Sequence, residues 1–130
     1  TYAGTVAFTN RFAGDPDERD VTAEVRAEAR EHQVFYVAGG EAANAIELRY
    51  DDVETDYTAD ADDPAELRDT VPVGLRFTLT VDDRAAAGTA GSLQVILGHY
   101  DEGKRSDETL SAATERDVDT TFEIVLSDQS

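Results

Sequence analysis

Apolar and polar residues alternate along the segment VPVGLRFTLTV, residues 71–81. Every odd position from Val71 to Val81 is apolar, and Arg76, Thr78 and Thr80 separate the last four of them. Because successive side chains of a β-strand point to opposite faces, the pattern predicts a strand with one buried face and one wet face. This alternation constrains the fold class more than any motif in the chain.

Further segments of the chain predict strands in the same way. They are TVAFTNRF (5–12), HQVFYVAGG (32–40), AIELRY (45–50), SLQVILGHY (92–100) and DVDTTFEIVL (117–126). In SLQVILGHY the additional apolar Ile96 predicts a strand that is covered on both faces. Glycine and proline turn signals separate the segments. We therefore predict one all-β domain over residues 1–130, a single antiparallel β-sandwich of about seven strands, immunoglobulin-like in shape.

Two segments require a choice between helix and strand. VTAEVRAEAR, residues 21–30, consists largely of good helix formers. Its apolar residues all lie at odd positions and its even positions are all polar, which favours a strand. DDPAELRD, residues 62–69, predicts a single helical turn, because Asp63 is a suitable N-cap and Pro64 suits the first helical position.

The charge balance restricts the partners of the protein. The chain carries 29 Asp and Glu against 11 Lys and Arg, for a formal net charge of -18. Such a surface repels nucleic acids and anionic lipids, so neither is an expected partner. Many carboxylates, one lysine (Lys104) and small apolar residues resemble the acidic proteins of salt-in halophilic archaea. At molar salt the Debye length is about 3 Å, which removes most repulsion between exposed charges.

The ends and the hydropathy of the chain indicate its location. No stretch approaches the roughly 20 apolar residues of a membrane span, so membrane insertion is not expected. The sequence begins TYAGTVAFTN, without an initiator Met, which fits a mature or excised part of a secreted or lipid-anchored precursor. We therefore expect an extracellular or cell-surface location.

Motifs of catalysis are missing from the sequence. Because the sequence contains no cysteine, it has no disulfide, no thiol nucleophile and no cysteine metal ligand. The chain contains no nucleophile elbow, no His-Glu-x-x-His and no glycine-rich phosphate loop. We predict a protein that is not an enzyme, without catalytic residues and without an organic cofactor.

The acidic segment DDVETDYTADADD, residues 51–63, has two interpretations. Calcium sites use Asp at alternate positions followed by a turn glycine, and Asp52, Glu54 and Asp56 have that spacing without the glycine. Asp15 and Asp17 begin the same spacing in another acidic segment, where Arg19 replaces the third ligand. Runs of this kind are expected by chance among 29 carboxylates, so the favoured interpretation is solvated loop. Calcium binding is the alternative.

The two histidines are the more specific metal candidates. His99 follows the odd-numbered apolar register of its strand, at the end where the core meets solvent. His32 lies at the junction of two predicted strands. If both ends meet at one rim of the sandwich, His32, His99 and a carboxylate such as Asp101 or Glu31 form a two-histidine, one-carboxylate site for a transition metal.

The function expected from these patterns is a binding one. GSLQVILGHYDEGK followed by DVDTTFEIVL resembles the final strands of uncharacterised secreted β-sandwich domains, a resemblance that implies fold and no activity. We predict a non-catalytic extracellular or cell-surface binding or structural domain of a halophile, with a protein or carbohydrate ligand. Four tyrosines form a contact strip if they share an outer face, and core-edge positions are the favoured alternative: Tyr36, Tyr50, Tyr57 and Tyr100. The other predicted function is a secreted transition-metal-binding protein that uses the two histidines.

Overall fold

Six β-strands and one short α-helix form the regular structure of the described chain. The computed structural model describes residues 2–8, 20–82, 84–101, 103–104, 113 and 115–126. The elements are β1 (Tyr2–Thr5), α1 (Val21–Ala27), β2 (His32–Gly40), β3 (Ile46–Tyr50), β4 (Arg76–Val81), β5 (Ala90–His99) and β6 (Glu115–Val125). Short 3-10 helices occupy Ala29–Glu31, Glu41–Ala45, Glu54–Tyr57 and Pro64–Glu66, the last of which confirms the helical turn predicted after Asp63.

The strands form two antiparallel three-stranded sheets. Their orders are β1-β4-β3 and β2-β5-β6. The prediction of a mostly β, antiparallel protein is therefore confirmed. The described strands number six where about seven were expected, and their arrangement is not clearly an immunoglobulin sandwich.

The pairing of β2 with β5 depends on glycines at one end. Gly40 pairs with Gly91, and Gly40 has a φ of 73°, in the region that favours glycine. A Cβ atom on Gly91 would lie 2.6 Å from the carbonyl oxygen of Gly39. Gly40 and Gly91 therefore permit a backbone approach that larger residues would prevent.

The strand prediction for residues 21–30 is wrong, because the segment forms α1 and a following 3-10 turn. The side chain of Asp20 caps the helix by accepting a hydrogen bond from the backbone N–H of Ala23 at 3.0 Å. Thr22, Val25 and Ala29 are buried, and they recur at the i, i+3, i+7 spacing of a helix face. Thr22 contributes to the core although it is polar, since its hydroxyl accepts the backbone N–H of Phe8 at 2.6 Å.

The core lies between the β2-β5-β6 sheet, α1 and the segment before β4. Its buried members are Phe8, Val25, Ala29, Val34, Tyr57, Val73, Leu75, Val95 and Leu97. The alternation in VPVGLRFTLTV correctly predicted burial at Val71, Val73 and Leu75, although the strand itself begins at Arg76. Within the strand the prediction is wrong for Thr78, which is buried, while the odd-numbered apolar side chains are half-buried. Ile96 is also buried, on the opposite face from Val95, as its extra apolar position indicated.

The four tyrosines lie in or beside the core and do not form an outer strip. Tyr57 and Tyr100 are buried, and Tyr36 packs against Phe77 with ring centroids 4.8 Å apart. The hydroxyl of Tyr36 donates to the Gly74 carbonyl at 2.6 Å. The Tyr50 hydroxyl donates to Val34 O at the same distance, and that of Tyr57 donates to Asp52. These hydroxyls connect loops and sheets within the protein.

Strand β6 forms where the segment DVDTTFEIVL predicted a strand, and most of it is exposed. Val118 and Phe122 pair with Leu97 and Leu93 of the core face of β5, yet the Phe122 side chain is 55% exposed. Among the described residues β6 pairs with β5 alone, which leaves it at the edge of its sheet. None of the described helices has the length and apolar character that crossing a membrane requires.

Candidate functional site

The two histidines face each other across neighbouring strands. His32 is the first residue of β2, His99 is the last residue of β5, and the antiparallel register pairs them directly. Their imidazole rings stack with centroids 4.6 Å apart and an angle of 3° between the ring planes. The structure therefore brings together the two residues that the sequence analysis singled out.

Carboxylates from β6 and from the end of α1 surround this pair. His99 Nδ1 lies 3.2 Å from Glu115 Oε1 and 3.9 Å from Asp117 Oδ2. His32 Nδ1 lies 3.8 Å from Glu28 Oε2. We refer to Glu28, His32, His99, Glu115 and Asp117 as the histidine cluster.

A backbone hydrogen bond fixes the protonation of the buried histidine. His32 is 2% exposed, and its Nδ1 lies 3.1 Å from the carbonyl oxygen of Glu28. A carbonyl oxygen only accepts, so Nδ1 must carry the hydrogen, which leaves Nε2 with the lone pair of the neutral ring. His32 Nε2 lies 3.6 Å from Asp117 Oδ2, so two acceptors face each other. A proton or a metal ion between them makes this contact favourable.

The two imidazoles have pKa values that shift in opposite directions. Burial lowers the pKa of His32, and the positive charge of His99 lowers it further, against the raising effects of the Glu28 hydrogen bond and Asp117. Burial also acts to lower the pKa of His99, but the Glu115 hydrogen bond and the charges of Asp117 and Asp101 outweigh burial and raise that pKa. Desolvation, together with Glu31 and Glu24, raises the pKa of Glu28. The buried ring is thus held neutral, as a metal-ligating imidazole must be.

A β-bulge directs acidic side chains toward the histidines. Leu97 pairs with Val118, but Gly98 pairs with Arg116, so Asp117 is an extra residue in β6. Regular pairing would place Arg116 opposite His99, whereas the shifted register places Glu115 there. Bulges of this kind re-aim side chains and are common next to functional sites. The bulge therefore supplies carboxylates where a regular strand would supply a cation.

The two carboxylates proposed from sequence lie differently. Asp101 is near the pair, with its Oδ1 3.7 Å from His99 Nδ1. In the described part of the chain, the ion pairs of both imidazoles involve other carboxylates and not Glu31. Glu31 and Asp101 both line a neighbouring surface cleft of about 270 Å³, which Glu28 also lines.

Glu28, Glu115 and Asp117 were missed by the sequence analysis. Glu28 precedes His32 by four residues, which places the two side chains together only when the segment between them is helical. The strand assignment of residues 21–30 hid this spacing. Glu115 and Asp117 depend on the bulge, and a one-residue shift of register leaves no mark in the hydrophobic pattern.

The interpretation of residues 51–63 as solvated loop is wrong for two carboxylates. Asp52 and Glu54 are buried. Asp52 accepts the backbone N–H groups of Gly74 at 2.8 Å and Leu75 at 2.9 Å, and thereby holds the turn before β4. These contacts use the oxygens that the calcium spacing would have assigned to a metal ion.

The remaining acidic positions divide between exposed and undescribed residues. Asp56, Asp60, Asp62 and Asp63 are exposed, as expected for solvated loop. The other calcium candidates, Asp15 and Asp17, lie outside the described residues.

Two contacts of the histidine cluster have nearly the spacing that a tetrahedral transition-metal site requires. Metal–ligand distances of about 2.0–2.2 Å place tetrahedral ligand atoms about 3.4 Å from one another. The Nδ1–Oε1 distance of 3.2 Å from His99 to Glu115 and the Nε2–Oδ2 distance of 3.6 Å from His32 to Asp117 lie close to this spacing. The lone pairs of stacked, parallel rings do not converge, so one ion bound to both imidazoles requires the rings to tilt apart.

Comparisons with known proteins leave the site to be interpreted from its own geometry. No protein-family model matches the chain, and the searches of curated proteins and of solved structures find no match.

Proposed function

We propose that this protein is a non-catalytic binding domain whose ligand is a divalent transition-metal ion held by the histidine cluster. One observation carries the proposal: Asp117 Oδ2 lies near a nitrogen of each ring, 3.6 Å from His32 Nε2 and 3.9 Å from His99 Nδ1. Both nitrogens face acceptor oxygens, and the buried nitrogen has its lone pair directed there by the Glu28 carbonyl. Metal-binding histidines commonly donate their second N–H to a backbone carbonyl in this way.

The donor set favours a particular class of ion. Imidazole and carboxylate ligands suit zinc, copper, iron and nickel, whereas calcium prefers oxygen alone. His99, Glu115 and Asp117 offer ligand atoms within 4.8 Å of one another, and His32 adds a second nitrogen next to Asp117. An ion at this position neutralises carboxylates that the described lysine and arginine side chains do not pair.

The wider setting of the proposal is a salt-adapted domain outside the cytoplasm. A net charge of -18 with a single lysine supports adaptation to high salt, where exposed carboxylates stay hydrated without strong mutual repulsion. The extracellular or cell-surface location and the immunoglobulin-like arrangement of the two sheets belong to this proposal as well. A protein or carbohydrate ligand is the alternative for a domain that binds no metal.

Thermal unfolding with added ions tests the proposal. The protein is freed of metal with EDTA, transferred to about 2 M NaCl, and unfolded with Zn²⁺, Co²⁺, Cu²⁺ or Ca²⁺. An ion at about 100 times its dissociation constant should stabilise the fold by about 2.7 kcal/mol and raise the midpoint by several degrees. Calcium should produce no comparable rise.

Matched variants separate the site from general surface charge. Asp117→Asn and His99→Ala should abolish the rise with the transition metal. Asp119→Asn is the control, because Asp119 lies on the same strand, is exposed, and bonds to Gln94 and Arg116. An equal rise in Asp117→Asn and in the wild-type protein, or a midpoint that follows bulk salt alone, would contradict metal binding at this cluster.

A further inference from the structure

The only lysine of the chain is buried directly behind the histidine cluster. Lys104 is 1% exposed. The other ten of the eleven basic residues are arginines. Its ammonium donates to the backbone carbonyl of His32, and to that of Pro72 at 2.8 Å. Its Nζ also lies 3.6 Å from Glu54 Oε2, which is fully buried. The lysine thus contacts the backbone of a proposed metal ligand from the protein interior.

Arg68 completes the neutralisation of Glu54 from the other side. Its Nη2 donates to Glu54 Oε2 at 3.1 Å, and its Nε and backbone N–H donate to Oε1 at 3.3 and 3.0 Å. We refer to Glu54, Arg68 and Lys104 as the buried ionic cluster. Since Glu54 has a bidentate partner in Arg68, charge neutralisation alone does not explain why Lys104 reaches the carbonyl of His32.

Residues after β5 hold the segment before β2 at successive carbonyl groups. Tyr100 N donates to Glu31 O at 2.8 Å, and Lys104 N donates to Arg30 O at 2.9 Å. The Lys104 ammonium takes the next carbonyl, that of His32. The backbone of residues 30–32, which carries the His32 ring, is therefore held at three consecutive carbonyl groups.

We propose that Lys104 is a positioning residue for the histidine cluster: its bond to the His32 carbonyl holds the ring so that Nδ1 donates to Glu28 and Nε2 faces Asp117. The importance of this role for metal binding rests on the proposed function. A compact ammonium with rotatable donors can reach two carbonyls and a carboxylate at once, whereas the planar fork of arginine is suited to bidentate pairing. This difference accounts for a lysine, rather than an arginine, at this buried position.

The test compares the loss of the two cations that neutralise Glu54. Lys104→Met removes the bond to His32. Arg68→Met is the control: it removes the bonds of Arg68 to Glu54 and to the backbone carbonyl of Lys104 but keeps the Lys104 ammonium. Long-range ¹H–¹⁵N NMR spectra of the metal-free proteins report which nitrogen of His32 carries the hydrogen. We expect one tautomer, with the hydrogen on Nδ1, in the wild-type protein and Arg68→Met, and a mixture of tautomers in Lys104→Met.

Cobalt titration provides the second measurement. In Lys104→Met the affinity for Co²⁺ should fall by about tenfold and the d–d absorption should change, as for other losses of support behind a metal ligand. In Arg68→Met the affinity should stay within about twofold, even though the protein unfolds earlier. If Lys104→Met does not fold, Lys104→Gln replaces it, because glutamine keeps an N–H donor. The tautomer and the Co²⁺ affinity should then change in the same direction but by less.

The outcomes separate this inference from the proposed function. A single unchanged tautomer of His32 in the lysine variants overturns the positioning role, whether or not metal binds. Equal losses of cobalt affinity in the lysine and arginine variants also overturn it, because the effect would then follow stability alone. A wild-type protein that ignores Co²⁺ but shows the tautomer change in Lys104→Met retains the positioning role and contradicts metal binding.

Discussion

The buried ionic cluster and the histidine cluster lie on opposite sides of the His32 backbone and differ in which groups neutralise their carboxylates. In the buried ionic cluster, Glu54 meets two cations and its lone pairs are filled by protein donors. In the histidine cluster, three carboxylates meet two imidazoles, and none of the described lysines and arginines pairs with them. The first cluster is complete within the protein, whereas the second requires protons or ions from the solvent.

The comparison teaches what a strongly acidic chain does with its few basic groups. Burial lowers the pKa of Lys104 to about 8, since desolvation outweighs the attraction of Glu54. Placing that ammonium inside is therefore costly, and its hydrogen bonds to backbone carbonyls offset the cost. A buried ion pair is also less affected by molar salt than an exposed one. The two clusters should thus respond oppositely to the neutralisation of a carboxylate, and the two imidazoles should respond oppositely to pH.

The largest effect is expected from removing the central acid of the buried ionic cluster. Glu54→Ala leaves Arg68 and Lys104 without their shared counter-charge and should lower the free energy of unfolding by about 3–5 kcal/mol. Urea unfolding at high salt measures the loss. Glu66→Ala is the control, because Glu66 forms an exposed pair with Arg30, and it should cost less than about 1 kcal/mol. Similar losses in both variants would show that burial of the cluster contributes no additional stability.

A change of pH is expected to have an effect of intermediate size on the free energy of unfolding. His99 has a raised pKa in the folded protein, so its contribution to stability is complete below the unfolded value near 6.5 and disappears as the pH rises through the folded value. His32 has a lowered pKa, so its contribution is present above about 6.5 and is lost as the pH falls toward the folded value.

Imidazole NMR titration of the metal-free protein measures both effects. The two rings should titrate on opposite sides of 6.5, and His99→Gln should remove the stabilisation on the acid side in unfolding experiments. If both imidazoles titrated with the ordinary histidine pKa, the result would contradict the difference between their environments.

The smallest effect is expected from neutralising an acid of the histidine cluster. At pH 8 with EDTA and low salt, Asp117→Asn reduces repulsion among carboxylates and should change stability by about +0.5 kcal/mol or less. In about 2 M NaCl this gain should vanish, because screening has already removed the repulsion. A clear destabilisation by Asp117→Asn at both salt concentrations would show that this cluster, too, is complete without an added ion.

Sequence patterns predicted the strands because a strand with one buried face alternates apolar and polar residues. The register of Val95, Leu97 and His99 follows from that period alone, which is why His99 was placed at the core rim. The helix at Val21–Ala27 was missed because the alternation of apolar and polar residues was preferred to the local helix signals, and the contacts that bury the helix are tertiary. They are the Thr22 hydroxyl bonded to Phe8 and the burial of Val25 against the sheet.

The partners of the histidines were less accessible to such reasoning. A chain with 29 carboxylates gives no local sign that Asp52 and Glu54 are buried while Asp51 and Asp56 are exposed. The difference lies in donors that are distant in sequence, the backbone of residues 74–76 and the side chains of Arg68 and Lys104. Contacts of that kind depend on topology, which composition does not encode.

The extra residue at Asp117 makes the histidine cluster separable from its sheet. Val118–Val125 pair with β5 in one continuous register, and pairing resumes at Arg116 on the other side of the bulge. Deleting the single residue Asp117 would restore an unbroken ladder without moving any core side chain of β6. One codon can therefore add or remove Asp117, and with it the proposed ion site, while the fold stays the same.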